Sequence, residues 1–129
     1  MVEDIVYKQL MEDTTLASAV NGHIYPEVVS AVKNPEYPCI CFQMESSPAD
    51  QNVPYSMCSV RFWVISKKSY RDAVKIYGYI KDAIDKKAFS DDDVYVVFSK
   101  DSEPSRYFDP EGEGLYYATG TYRAYKIDK

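Results

Sequence analysis

"CSVRFWVISKKSYRDAVKIYGYIKDAI", residues Cys58 to Ile84, is the stretch whose reading decides the fold. Its first residues alternate, with Val60, Phe62 and Val64 on one side of an extended chain and Arg61, Trp63 and Ile65 on the other. Apolar residues on both sides are what a central strand carries. After Lys67 and Lys68, Ser69 and Asp72 form the S-x-x-D pattern of a capping box, with Ser69 as N-cap and Asp72 expected to reach back to it. Ala73, Ile76, Tyr77, Ile80, Ala83 and Ile84 then recur every three or four residues, the spacing of a helix with one apolar stripe. A strand feeding into such a helix implies a sheet with the helix laid along one side.

Working outward, Val2 to Met11 reads as a short amphipathic helix with Glu3 and Asp4 in its first turn, where the helix dipole favours anions. Asp13 is placed to cap a second short helical turn carrying Leu16, Ala19 and Val20, and Asn21-Gly22 is a stop signal. His23 to Tyr25 is a short extended piece ended by Pro26, and Glu27 to Tyr37 reads as a loop. Pro38 cannot sit inside a central strand, so a strand is expected to start at Cys39. Downstream, Val94 to Phe98 and Leu115 to Ile127 read as strands, and Ser99 to Gly114 as a long polar loop of the length usually reserved for function. Gly120, inside the last strand, marks either a bulge or a close backbone approach. The expected class is α+β: a mixed or antiparallel sheet of about four strands with helices packed mainly on one face, in a single domain spanning residues 1–129.

The composition fits a globular domain. Of 129 residues, 46% are hydrophobic and 27% charged, which disfavours disorder. No apolar run approaches the roughly 20 residues that cross a bilayer, and the acidic start MVEDIVYKQ has neither the basic nor the apolar region of a signal peptide. A cytosol-like compartment is expected, without membrane association. The net charge of −5 argues against tight binding to nucleic-acid backbones, which needs several Lys or Arg facing phosphates. The 13 tyrosines point either to contact surfaces or to half-buried strand faces.

Chemistry-bearing patterns are sparse. Cys39 and Cys41 fall on the same side of a strand, where thiols pack as small hydrophobes; with His23 as the lone histidine, a zinc site has no second pair of ligands. Asp91-Asp92-Asp93 lacks the alternating oxygens and glycine of a calcium loop and reads as a solvated turn. Glu103, Asp109, Glu111 and Glu113 share one loop, a poor place for a rigid catalytic pair. No nucleophile elbow, phosphate loop or dinucleotide fingerprint occurs. The expectation is a protein that is not an enzyme and holds no cofactor. Lys67, Lys68 and Arg71 make one basic cluster at a strand–helix corner, either a solvated corner or a contact for an acidic loop on another subunit. His23, Tyr25, Arg106, Tyr107, Phe108, Glu111 and Glu113 complete the candidate interaction residues.

The order of the pieces is informative in itself. D-x-x-L-A-x-x-V-x-G (Asp13 to Gly22), I-Y-P (Ile24 to Pro26), Y-P-x-I-x-F-Q (Tyr37 to Gln43), a central strand ending at a helix with an S-Y-x-x-A start (Ser59 to Ile84) and a late strand containing Y-R-A-Y (Leu115 to Tyr125) follow one another. Together they resemble the tail completion, or tail terminator, proteins of long-tailed bacteriophages and prophages. Residues Ser47 to Tyr55 and Ser99 to Gly114 match no motif of that family, which has no catalytic residues to carry over. The resemblance implies a virion protein assembled in the bacterial cytoplasm into a ring, a hexamer, at the head-proximal end of the tail tube. Its partners would be further copies of itself, the major tail tube protein and the head connector, with DNA passing through the lumen without specific binding. Two other assignments stay open at this point: a neck protein of head–tail joining, and a small cytosolic protein-binding module. An enzyme using the acidic loop is a third.

Overall fold

The computed structural model describes residues 2–27, 31–46, 56–92, 94–100, 104–109 and 114–128. In chain order the elements are α1 (Val2–Glu12), α2 (Thr14–Ala19), β1 (Ile24–Tyr25), β2 (Cys39–Ser46), β3 (Ser56–Ser66), α3 (Tyr70–Ile84), β4 (Ala88–Ser90), β5 (Val94–Lys100), β6 (Ser105–Asp109) and β7 (Leu115–Asp128). The strands form one curled, mixed sheet resembling half a barrel, in the order β1-β2-β3-β7-β5-β4. β1 runs parallel to β2, and every other pairing is antiparallel.

The expected sheet of about four strands is therefore corrected to one of seven, and helices are few beside it. The three extra strands are short. β1 has two residues and β4 three, too few for an alternation to register, and β6 lies inside the polar run that reads as a loop. β7 is long enough to serve both β5 and β6 along one edge: Leu115 to Thr119 pair with β6, and Tyr122 to Asp128 with β5.

Local chemistry explains the boundaries. Asp13 Oδ1 accepts from Leu16 N at 3.0 Å and opens α2, and the left-handed pair Asn21 (φ 52°) and Gly22 (φ 75°) closes it. Ser69 Oγ accepts from Asp72 N at 3.1 Å and opens α3. Asp72 does not return to the Ser69 backbone. Its Oδ2 instead accepts from Ser66 Oγ at 2.7 Å, while Ser66 Oγ accepts from Lys68 N at 3.0 Å. Ser66 is 1% exposed, so its hydroxyl needed these partners. The strand–helix corner is thereby fixed on both sides.

The main core lies between the helices and one sheet face. Ala73, Ile76, Tyr77, Ile80, Ala83 and Ile84 of α3 meet Phe42, Val60, Phe62, Val64, Phe98, Ala118, Tyr122 and Ala124, with Val6, Leu10 and Leu16 closing one end. Gly120 sits in regular register opposite Phe62, without a bulge. The group that approaches it is a side chain: a Cβ there would lie 2.9 Å from Tyr77 Cζ. On the opposite face Cys39, Cys41 and Ile65 form a second, smaller cluster under Tyr25, Tyr37, Trp63, Leu115 and Tyr117.

Candidate interaction surfaces

Eight of the ten candidate interaction residues fall within the described part of the chain, and the register gathers them at one end of the sheet. Ser66 stands opposite Tyr116 on β7, and Tyr116 stands opposite Phe108 on β6. Tyr116 also meets Tyr70, the first residue of α3, with ring centroids 5.0 Å apart, and Phe108 at 4.8 Å. An aromatic row therefore runs from the basic corner of Lys67, Lys68 and Arg71 to the outer strand. On the other face the row Cys39, Ile65, Tyr117 and Tyr107 ends in a Tyr107–Tyr117 ring contact at 5.4 Å.

His23 and Tyr25 reach the same end from the far edge. His23 Nε2 is 2.9 Å from Glu36 Oε2, and Tyr25 Oη accepts from Glu36 N at 3.3 Å, so two contacts fasten the loop to β1 and the residue before it. Tyr37, next in that loop and joined to Pro38 by a cis peptide bond, carries Lys67 Nζ 5.2 Å above its ring. Glu111 and Glu113 lie outside the described residues.

Asp91 Oδ1 accepts from Val94 N at 2.9 Å, a turn contact of the kind aspartate makes before a strand. A groove of about 440 Å³ beside it is lined by Asp4, Ile5, Lys8, Gln9, Ser90, Asp91 and Asp92. Among the described residues no group of three or more His, Cys, Asp and Glu is arranged to hold a metal ion. A hydrogen bond to Cys41, together with burial, pushes the Cys39 thiol far above its ordinary range, and the same bond pulls the Cys41 thiol down against its own burial. Burial likewise pushes the Cys58 thiol up, against the opposing pull of Lys126.

One surface was not anticipated from the sequence. Tyr95, Val97 and Ile127 are 55%, 43% and 49% exposed on the helix-free face, with Tyr95 opposite Ile127. The signal was present: in VYVVF the residues between Val94, Val96 and Phe98 are themselves apolar, although the strand's inner face is already complete.

No protein-family model matches the chain, and no curated protein matches it. A solved structure does: a chain of the virion of native gene transfer agent (GTA) particle superimposes with a TM-score of 0.69, covering 96% of this chain and 92% of that one. The chain has the fold of a virion component. At 15% identity the likeness is one of architecture, and it extends over nearly the whole of both chains.

Proposed function

We propose that the protein is a structural component of a virion, and specifically a tail terminator: a ring at the head-proximal end of the tail tube that ends tube polymerisation and docks to the head connector. The observation that carries the virion part of this reading is the end-to-end likeness to the gene transfer agent virion chain, over 96% of this chain and 92% of that one. The terminator part rests on the order of sequence motifs. A closed ring needs two different surfaces on each protomer. The basic corner with its aromatic row and the Tyr95–Val97–Ile127 patch are separate surfaces that suit such a contact. Six subunits at −5 each would carry about −30 in total, which suits a lumen that lets DNA pass without gripping it.

The test is the absolute mass of the purified chain by light scattering, alone and with tail tubes of the same particle, followed by electron microscopy of the tube ends. A closed ring capping one end of each tube, with elongation arrested, is the expected result. A chain that leaves tube length and tube ends unchanged would overturn the terminator assignment.

A further inference from the structure

β6 is a five-residue sheet edge without a strand partner among the described residues, a length matched by Phe42 to Ser46 on the outer side of β2. It pairs only with β7, whereas the edge strands β1 and β4 have two and three residues. Ser105 to Phe108 are all exposed, Tyr107 to 57% although its ring rests on Tyr117. Both aromatic rows of the sheet stop here, at Phe108 on one face and Tyr107 on the other. An edge of this kind is a template for another strand. The devices that usually blunt an edge are thin: Pro104 precedes it, and Arg106 is the one cation on it.

The sequence of β6 specifies which strand fits. We propose that two copies of the chain pair antiparallel through β6, about a two-fold axis at Tyr107. In that register Tyr107 faces its own copy, and Arg106 faces Phe108 of the second copy, twice. Each guanidinium then meets an aromatic ring instead of a like charge, a contact worth about 0.5–1 kcal/mol at an exposed site. The two arginines lie on a diagonal, about 7–8 Å apart, where water screens them. No other centre on Ser105–Asp109 pairs all five positions. The contact is isologous and closes at two copies, so it is a property of the free protein that goes beyond the ring and does not depend on it.

The test uses the full-length chain. Light scattering over a broad concentration series is expected to show a species of twice 14.8 kDa. Tyr107→Lys and Tyr107→Glu each place like charges on the axis and are expected to be monomeric, with the circular dichroism of the parent. Mixing the two is expected to restore the dimer, which unfolded or detached strands would not do. Opposed residues on antiparallel strands have Cα atoms about 4.5–5.5 Å apart, within the disulfide range. Tyr107→Cys, oxidised with oxidised glutathione, should therefore yield a covalent dimer. A parent chain that forms no dimer at any concentration overturns the proposal, as does a dimer that persists in Tyr107→Lys or the absence of the Tyr107→Cys cross-link. None of these outcomes bears on whether the chain caps tail tubes.

Discussion

On β3, Val60, Phe62 and Val64 lie on the face beneath α3, while Arg61, Trp63 and Ile65 lie on the other. The two faces use alternate residues of the same strand and are finished differently. Beneath the helix, Phe62 meets Phe42 with centroids 6.0 Å apart and Tyr122 at 5.7 Å, and all three are fully buried. On the other face, among the described residues, only Cys39, Cys41 and Ile65 reach full burial, covered by a loop and by half-exposed rings. Beyond them comes a polar waist of Gln43, Arg61 and Thr121, and then the exposed patch of Tyr95, Val97 and Ile127. One face is closed by the chain itself. The other is closed in part, and its remaining apolar rows lie where another protein can meet them.

The most damaging way to break this contrast is Phe62→Ala. Removing a buried ring costs about 3–5 kcal/mol, against a total of about 5–15 for a domain, so the urea midpoint should fall steeply. Trp63→Ala, one residue along on the other face, should cost less than half as much. Equal losses would mean that the helix-free face is a second core of the same rank. Gly120→Ala should come next, at about 1–3 kcal/mol for overpacking, because the added methyl meets Tyr77. The phenolic end of Tyr77 is what it meets, so adding Tyr77→Phe should recover part of the loss. A Gly120→Ala protein as stable as the parent would show that Tyr77 moves aside freely.

What the sequence revealed follows the same division. The buried stripe of α3 is legible because six apolar residues recur at helical spacing, and each is buried. β3 and β7 are legible because they are long. β6 is not, since Ser105 to Asp109 sit among prolines and acids and acquire strand geometry only by pairing with β7. Lys67, Lys68 and Arg71 could be picked out as a basic corner, but their connection through Tyr70 and Tyr116 to Phe108 depends on a register between residues far apart in the chain. Long-range pairing leaves no local signature, and in this sheet it determines which candidate residues become neighbours.

A smaller effect tests the cover on the helical side. Ser69→Ala removes the hydroxyl that caps α3 and should cost about 1 kcal/mol, whereas Ser69→Gly should cost only a few tenths. The Ser66–Asp72 bond remains in both variants, so α3 should keep its start. A loss well above 2 kcal/mol would mean that the whole corner depends on Ser69 and not on the two bonds at Ser66.

The smallest expected effect concerns how firmly the other face is covered. Alkylation requires the thiolate, and a raised pKa lowers its population at any given pH. Cys58 is partly exposed on the helix side, while Cys39 and Cys41 are fully buried under Tyr37 on the other. Alkylation of the folded protein at mildly alkaline pH should therefore mark Cys58 first, and slowly. Cys39 and Cys41 should follow only when the loop carrying Tyr37 lifts. Lys67→Ala removes the ammonium above that ring, a contact of about 0.5–1 kcal/mol at an exposed site, and should speed labelling of Cys39 and Cys41 by about two- to fivefold while leaving Cys58 unchanged. A rate that rises equally at all three thiols would indicate global unfolding. No change at Cys39 and Cys41 would show that the two contacts from Glu36 to His23 and Tyr25 hold the cover without help from Lys67.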